Sequence, residues 1–435
     1  MPVRVRAWLD RWAPILPLFA AEFIIWVGFG GLLPVLPIYF NEQGVDLATL
    51  GLVIAAWPAA RLVSEPAFGW LADRTARVPL MIIGLVAAGV FGALPLVWTG
   101  PVAFFLLRAA AGLGAAIYDP AARGYLTDAT PADRRGEAFG LYGAAQMGGL
   151  IIGPSIGALG AAQFGGVAFV FVFSAIATII AAAGIALRVR EGPPGKRGTF
   201  GLASDRVELP PDPYSERRAA AALASDAAAN AGGRSAPTMR LFNRGLLAAI
   251  VLNAGGYYGG GTYEVIWSLF LKGLGADLTL IGLTFTMFAV PVLLLSPFAG
   301  RLVDRRGSFL FIVLGMLLPG LAAITYTLIR DPILAVPLIL LEGTGFAVLN
   351  PAVYSVVAAS SPPGRSSTAQ GIFGAAGTLG FIVASLTTGV LAERSILLPF
   401  YAFCAVMLVS LGLALAIGGT SLRRPADAAP EAVPA

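Results

Sequence analysis

The sequence predicts an all-α membrane protein with twelve transmembrane helices, arranged as two pseudo-symmetric six-helix bundles. Hydrophobic residues make up 57% of the chain and charged residues 12%, and the mean hydropathy of +0.81 lies far outside the range of soluble globular proteins. A bilayer core about 30 Å thick needs about 20 helical residues to cross it. The chain divides into twelve stretches of roughly that length. Because these stretches are continuous apolar runs without alternation, helices are favoured over barrel strands.

The predicted spans are separated by loops that contain Gly, Pro or charged residues. The spans lie near residues 14–40, 47–70, 78–98, 101–126, 137–160, 165–187, 246–271, 277–301, 309–329, 332–358, 368–392 and 397–419. Between the sixth and seventh spans, the runs Gly192 to Arg197 and Pro210-Pro211 are typical of a linker. The predicted domains are an N-terminal six-helix bundle at 1–187, a cytoplasmic linker at 188–244, a C-terminal six-helix bundle at 245–420 and a disordered cytoplasmic tail at 421–435.

The two halves of the chain repeat each other when the sequence is shifted by 231 residues. Gly69-Trp70-Leu71-Ala72-Asp73-Arg74 then aligns with Gly300-Arg301-Leu302-Val303-Asp304-Arg305, and Pro66, Gly112 and Pro120 align with Pro297, Gly343 and Pro351. This many matches without a gap predict that the two bundles share one fold. In duplicated membrane proteins of this kind, the interface between the halves is where transport is expected.

The distribution of arginine and lysine predicts the orientation, because cationic loops are retained on the cytoplasmic side. The loops on one side carry only Lys272, Arg330 and Arg394, whereas the other loops, the linker and both ends are rich in arginine. Both termini and the linker are therefore predicted to be cytoplasmic, in a plasma (inner) membrane. The net charge of +5 follows from this bias and requires no nucleic-acid partner.

The usual catalytic residues are scarce. The chain has no His, one Cys (Cys404, in the last span) and no phosphate-binding Gly-Lys-Ser/Thr loop. Metal hydrolysis, Cys–His or Ser–His catalysis and ATP hydrolysis are therefore disfavoured, and we expect no enzyme activity, no cofactor and no metal. The energy for transport would come from an ion gradient or from downhill flow, with buried carboxylates as the proton carriers.

The loop after the second span reads Gly69-x-Leu71-Ala72-Asp73-Arg74-x-Ala76-Arg77, and its copy after the eighth span includes Gly300, Asp304 and Arg305. Both loops resemble the signature Gly-x-Leu-Ala-Asp-Arg-x-Gly-Arg of the major facilitator superfamily, and the chain is similar in particular to its 12-span drug/proton antiporter branch. The resemblance covers most of the chain and implies the major facilitator fold.

The resemblance also implies a role for this loop as a latch between the bundles in the outward-facing state. Asp73 would face a helix N-terminus in the second bundle, and Arg74 or Arg77 would pair with Asp128. The alternative is a solvated charged turn that only anchors the topology.

Two further motifs carry the same resemblance. Arg108 in the fourth span is similar to an intramembrane arginine that family members use in proton coupling, and Glu22 is its favoured partner; a structural tie between helices is the alternative. In the fifth span, Gly149, Gly153, Pro154 and Gly157 follow the antiporter signature, with Ala158 in place of its last Gly. A hinge or seal and an ordinary small-residue packing seam both fit this pattern.

Carboxylates inside the spans are the candidates for proton and substrate coupling, together with Arg108. They are Glu22, Asp119, Glu264 and Glu342. Arg61 and Glu65 are spaced i, i+4 and are expected to neutralise each other. The candidate aromatic walls for a cationic ligand are Trp26, Trp57, Tyr257, Tyr258, Tyr263 and Trp267, and the glycines between 255 and 261 suggest a flexible stretch that could admit the ligand.

These observations predict a monomeric secondary transporter that works by alternating access. Proton-driven efflux of hydrophobic or cationic small molecules is the leading interpretation, with protons, a small-molecule substrate and the lipid bilayer as partners. A carrier of a specific metabolite, such as a sugar or an amino-acid derivative, is the alternative. A non-transporting membrane sensor or scaffold is a third, which the insertion cost of unpaired membrane carboxylates disfavours.

Overall fold

The computed structural model describes residues 12–130, 134–164, 166–191, 241–362 and 365–422. The first bundle consists of α1 (Leu16–Leu32), α2 (Leu36–Glu42), α3 (Leu47–Ala72), α4 (Arg77–Ala93), α5 (Pro101–Ala129), α6 (Arg135–Gln163) and α7 (Val167–Arg188). The second consists of α8 (Arg244–Gly273), α9 (Leu278–Arg306), α10 (Phe309–Tyr326), α11 (Ala335–Ser360), α12 (Ser366–Arg394) and α13 (Leu398–Gly418). Most of the predicted linker, at 192–240, and the tail beyond residue 422 lie outside the described residues.

The described helices agree with the predicted all-α membrane fold. Ten of them are long and apolar enough to cross a bilayer, and α1 with α2 forms a further span that is bent by 41°. The bend lies at Pro34, which has no N–H to donate to the preceding turn. The remaining long helix is α8, whose 30 residues include Asn253, Glu264 and several glycines that lower its hydropathy. The twelve predicted spans therefore correspond to α1–α2 and α3 to α13.

The packing of the helices repeats between the two bundles, as the duplicated sequence predicts. In the first bundle α1 packs against α6 and α7, and in the second α8 packs against α12 and α13. The same symmetry is visible at single residues. The position of a Cβ on Gly69 lies 3.8 Å from Pro120, and that on Gly300 lies 3.8 Å from Pro351, the residue aligned with Pro120.

The bundles meet at the end of the molecule formed by loops 43–46, 274–277 and 395–397, which we call the outer end. There α3 crosses α12 where Gly51 lies against the Ser385 carbonyl and the backbone of Gly389. The symmetry-related crossing brings Gly282 of α9 against Pro154 and Ala158 of α6. Because a side chain at either glycine would occupy the position of a neighbouring backbone, these two crossings require glycine.

The opposite end, which carries loop 73–76 and the junction between α11 and α12, is open between the bundles. Gly140 on α6 and Gly371 on α12 are exposed there, and no other helix lies within 4 Å of the position of a Cβ on either residue. With the orientation that the arginine distribution predicts, this opening faces the cytoplasm.

The glycine-rich part of α8 differs from the sequence interpretation. Residues 255–261 were expected to be a flexible or broken segment, but they lie within one continuous helix. Their small size serves packing instead: a Cβ on Gly255 would lie 2.5 Å from the Ser410 hydroxyl, and one on Gly259 would lie 2.8 Å from the Phe403 ring. The prediction of a flexible entrance was therefore wrong, because glycine in a membrane helix also permits close helix contact.

We expect Gly51→Val to separate the bundles at the outer end, because overpacking a close contact costs about 1–3 kcal/mol. Spin labels on Gln43→Cys and Arg394→Cys, in a Cys404→Ser background, would report the outer distance by double electron–electron resonance. Gly412→Val is the matched control, since no neighbouring atom lies within 4 Å of its Cβ position. An unchanged distance distribution in Gly51→Val would contradict the role of this crossing.

Candidate functional site

A cavity of about 610 Å³ lies between the two bundles. This volume falls in the range of pockets that bind drug-sized molecules, about 300–1,000 Å³. Its wall is mostly aromatic and aliphatic, with a few polar groups contributed by α8 and α11. The aromatic lining residues are Trp26, Phe29, Tyr257, Tyr263, Trp267, Phe285, Phe288, Phe346, Tyr354, Phe373 and Phe381.

Four of the six aromatic residues named from the sequence line this cavity: Trp26, Tyr257, Tyr263 and Trp267. Trp57 lines a separate, smaller cavity of about 100 Å³ inside the first bundle. Tyr258 is not a wall residue of either cavity; it is buried, and its hydroxyl shares a 2.8 Å hydrogen bond with Thr387. Its assignment to the cavity was therefore wrong, because neighbouring residues on a helix point about 100° apart.

Glu342 is the most deeply buried acidic group of the large cavity, with 1% of its surface exposed. The Tyr326 hydroxyl donates a 3.0 Å hydrogen bond to its Oε2 atom. Its Oε1 atom and the Tyr263 hydroxyl face each other without a hydrogen bond of normal geometry. Within the described part of the chain, no Arg or Lys pairs with this carboxyl group.

Glu264 is joined to Arg108 by an ion pair that crosses from one bundle to the other. The distance from Arg108 Nη2 to Glu264 Oε1 is 3.0 Å, and the two side chains are 8% and 14% exposed. The predicted pairing of Arg108 with Glu22 is therefore wrong. The physical reason is that the Glu22 carboxylate already has three donors, whereas Glu264 lies directly against Arg108 and pairs with no other cation among the described residues.

Glu22 is fully buried among neutral donors of the first bundle. Its Oε1 atom accepts hydrogen bonds from Trp26 Nε1 at 2.9 Å and from Gln146 Nε2 at 2.5 Å, and its Oε2 atom accepts from the Tyr118 hydroxyl at 2.6 Å. Three donors satisfy a carboxylate without a countercharge. Tyr118 and Gln146 were not identified as site residues from the sequence, because isolated Tyr and Gln residues carry no motif.

Asp119 is paired with Arg61, which also bonds to Glu65 at 2.5 Å. The i, i+4 pairing of Arg61 with Glu65 is confirmed. The pattern in the sequence assigns Arg61 to Glu65 alone and does not reveal the contact between α3 and α5 that brings Arg61 to Asp119. The Arg61 guanidinium also lies over the Trp57 ring, 4.7 Å from its centroid.

The signature loop between α3 and α4 contains the predicted arginine–aspartate pair. Arg77 Nη1 lies 2.7 Å from Asp128 Oδ2, so that Arg77 rather than Arg74 is the partner. The guanidinium crosses the backbone of Gly124, where a Cβ would lie 2.7 Å from Cζ. Arg74 stacks over Trp70, 4.0 Å from the ring centroid.

The other half of the predicted latch is the contact of Asp73 with the second bundle. In this open conformation Asp73 is 65% exposed and lies 3.5 Å from Arg77. Its contact with a helix of the second bundle, and the matching roles of Gly300, Asp304 and Arg305, stay predictions.

A carboxylate from the end of the first bundle stabilises the same loop and was assigned only to the linker from the sequence. Glu191 accepts hydrogen bonds from the backbone N–H groups of Arg77 at 3.1 Å and Val78 at 2.7 Å. It therefore caps the N-terminus of α4 from outside the helix.

The glycines of the fifth-span motif hold α6 against α1. A Cβ on Gly149 would lie 2.5 Å from the Phe23 carbonyl oxygen, one on Gly153 2.6 Å from that of Val27, and one on Gly157 2.5 Å from that of Gly31. Pro154 and Ala158 face the other way, toward Gly282 of the second bundle. The motif thus combines a packing seam within one bundle with a contact between bundles, so neither interpretation offered by the sequence is excluded.

Several cavity residues were missed because single Phe residues in apolar spans resemble lipid-facing ones. A signal was available in their spacing. Phe346, Asn350 and Val353 lie four, eight and eleven residues after Glu342, which places them on the same helix face. The face that contains a buried carboxylate could have been used to predict the cavity wall.

We expect Glu264→Ala to destabilise the protein by about 3–5 kcal/mol, because it leaves the Arg108 guanidinium buried without a countercharge. The midpoint of thermal unfolding in detergent would measure this loss. Glu42→Ala is the matched control: it breaks the other ion pair between bundles, Lys272 to Glu42 at 2.5 Å, whose side chains are about half exposed. Its expected cost is below about 1 kcal/mol. Equal shifts in the two variants would contradict the assigned importance of the Arg108–Glu264 pair.

Relatives with known names match part of the chain. The quinolone resistance protein NorA of Staphylococcus aureus is 31% identical over 143 residues, which are 33% of this chain and 37% of NorA. Multidrug resistance protein 2 of Bacillus subtilis is 30% identical over 163 residues, which are 38% of this chain and 40% of that protein. The chain thus matches well under half the length of each of these relatives.

Solved structures match nearly the whole chain at low sequence identity. A bacterial homolog of the human lysosomal transporter Spinster, in an inward-facing and occupied conformation, has a TM-score of 0.71 at 15% identity, covering 97% of this chain and 96% of that one. A peptide transporter POT in complex with sulfate has a TM-score of 0.69 at 16% identity, covering 94% and 95%. These likenesses establish the fold.

The sequence model of the Major Facilitator Superfamily matches residues 18–267 and again residues 246–434, once for each half of the duplicated chain. Together with the repeated signature loops and the cavity between two bundles, this match establishes that the chain belongs to the Major Facilitator Superfamily.

Proposed function

We propose that this transporter exports lipophilic cations or hydrophobic neutral compounds in exchange for protons. The observation that carries the proposal is the placement of Glu342 and Glu264 on the wall of a largely aromatic cavity of about 610 Å³ between the bundles. Buried carboxylates are expensive inside a membrane, and a transporter can use them to bind a cation or a proton alternately.

The composition of the cavity wall supports this substrate class. Aromatic rings can hold flat apolar molecules, and their faces attract cations. Arg108 neutralises Glu264, whereas Glu342 has no cationic partner in the described part of the chain. When Glu342 is ionised, the cavity wall has one negative charge that no cation among the described residues compensates. A monovalent lipophilic cation complements this arrangement.

Proton coupling is supported by the same two carboxylates. Protonation of Glu342 removes the negative charge that would hold a cation, so proton and cation binding at this residue oppose each other. Protonation of Glu264 weakens its pairing with Arg108, which joins the bundles in the present conformation. The printed names of the relatives, quinolone resistance and multidrug resistance proteins, agree with drug efflux.

Alternating access would exchange the present contacts at the outer end for contacts at the open end. The glycine crossings at Gly51 and Gly282 would separate, and the signature loop with Asp73 would approach the second bundle. With both termini in the cytoplasm, the open cavity would load substrate from the cell interior or from the inner leaflet of the plasma membrane.

The decisive test is proton efflux from proteoliposomes that hold an acid-inside pH gradient, measured when tetraphenylphosphonium is added. We expect the wild type to dissipate the gradient, and Glu342→Gln to lose at least about tenfold in rate, which corresponds to ~1.4 kcal/mol. Glu42→Gln, at the exposed outer ion pair, is the control and should retain the wild-type rate.

Two outcomes would reject the proposal. If Glu342→Gln and the wild type dissipate the gradient equally, Glu342 has no part in coupling. The other outcome is that the wild type equilibrates a labelled metabolite across the membrane, while neither this metabolite nor tetraphenylphosphonium causes proton efflux. The protein is then an uncoupled metabolite carrier.

A further inference from the structure

The smaller cavity of about 100 Å³ in the first bundle is lined mostly by apolar and aromatic residues, with four charged residues among them. Glu22, Arg61, Arg108 and Asp119 line it. It is well below the volume of pockets that hold drug-sized ligands, yet it can hold several water molecules. The Arg108 Nε atom is fully buried and has no hydrogen-bond partner among the described residues, and Arg108 is only 7% exposed. The carboxylates and guanidinium groups that line the cavity favour water within it.

The donors around Glu22 differ in what they can do when the carboxyl group is protonated. Tyr118 can turn its hydroxyl and accept a hydrogen bond, and Gln146 can present its carbonyl oxygen. The Trp26 indole N–H can only donate. Its 2.9 Å bond to Oε1 is therefore favoured when Glu22 is ionised and weakened when Glu22 carries a proton.

Trp26 also belongs to the wall between the two cavities. Trp26 and Phe29 line both of them, and their rings meet edge to face with centroids 5.4 Å apart. Phe29 in turn packs on Trp57, with centroids 5.2 Å apart. One face of this aromatic partition meets the large cavity, and the Trp26 N–H on the other side meets Glu22.

We propose that Glu22 and the small cavity form a hydrated proton site separate from the substrate cavity, and that Trp26 is the positioning residue that connects the two. The inference rests on the proposed export function. A substrate stacked on Trp26 holds the indole with its N–H toward Oε1, which favours the ionised carboxylate. The O–H bond of the Glu22 carboxyl group then breaks, and the proton passes to a water molecule in the small cavity.

Other charged and titratable groups surround Glu22 and affect the pH at which it titrates. On α5 these are Tyr118 and Asp119, on α6 Tyr142, and on α3 Arg61, which holds Asp119. Helix α7 meets α1 at Gly28 through Ser174 and Ala177, which are uncharged. No cation among the described residues pairs directly with Glu22, so its ionised form depends on the three neutral donors.

The experiment is a pH titration of intrinsic tryptophan fluorescence on the full-length protein in detergent, without ligand and with saturating tetraphenylphosphonium. The variants are Trp26→Phe, which keeps an aromatic wall but removes the N–H donor, and Glu22→Gln, which cannot titrate. Trp267→Phe is the matched control, because Trp267 lines the large cavity and donates a 2.9 Å bond to Thr284 instead of a carboxylate.

We expect one pH-dependent transition in the tryptophan fluorescence of the wild type. This transition should be absent from Trp26→Phe and Glu22→Gln and present in Trp267→Phe. Tetraphenylphosphonium should move its midpoint to lower pH in the wild type, since cation and proton binding oppose each other. Equilibrium dialysis measures probe binding independently.

If the fluorescence transition persists in Trp26→Phe or Glu22→Gln, the proposal is overturned. It is also overturned if tetraphenylphosphonium binds to the wild type without moving the midpoint of the transition. If tetraphenylphosphonium does not bind to the wild type but the fluorescence transition still requires both Trp26 and Glu22, the two proposals separate. The proposed export of lipophilic cations then fails, whereas the link between Glu22 and Trp26 stands.

Discussion

The structure depends on one constraint: a charged group inside a bilayer must find its partner within the protein, because lipid offers none. The charges in the spans meet this constraint in three ways. Arg61 and Asp119 pair within one bundle, Arg108 and Glu264 pair across the two, and Glu22 is surrounded by neutral donors. Glu342 has the fewest partners of these groups, since only one of its two carboxylate oxygens accepts a hydrogen bond. Glu342 and Glu22 have no cationic partner among the described residues, so the charge state of either carboxyl group can respond to what enters the cavity, whereas the salt-bridged Arg61 and Asp119 are held in their charged forms.

The sequence predicted the architecture well because duplication, hydrophobic runs and the signature loop are local patterns. The i, i+4 pair of Arg61 with Glu65 follows from such a pattern and is present. The pairing of Asp128 with Arg77 is one of the two that the resemblance of the signature loop implied. The partner of Arg108 could not be found this way. Its carboxylate is 156 residues away on the other bundle, and no periodicity within either helix determines which charges face each other between the bundles.

The cavity wall itself was only partly predictable, since a lipid-facing Phe and a cavity-facing Phe are chemically identical.

The two halves of the chain have kept the same backbone packing but carry different charged side chains inside the spans. Gly51 with Ser385 and Gly389 is related by the 231-residue shift to Gly282 with Pro154 and Ala158, and both sets form the crossings at the outer end. The charged positions inside the spans do not correspond. Under the same shift Glu22 aligns with Asn253, Arg108 with Ile339 and Glu342 with Ala111. The two bundles therefore share one backbone arrangement while each supplies different groups to the cavity, as expected of a carrier that handles two unlike ions or molecules.

The glycine crossings at the outer end also bear on how easily the conformation changes. They bring backbone against backbone, so few long side chains are immobilised there and little rotamer entropy is regained or lost when they part. The polar ties beside them are modest: Thr286 donates to the Ile151 carbonyl at 2.7 Å, and the Lys272–Glu42 pair is half exposed. Reversing a two-state population from 1:99 to 99:1 takes about 5.5 kcal/mol. A seam of this kind adds few immobilised side chains and few polar bonds to the cost of such a reversal, so less of that free energy would have to come from a bound proton or a bound cation.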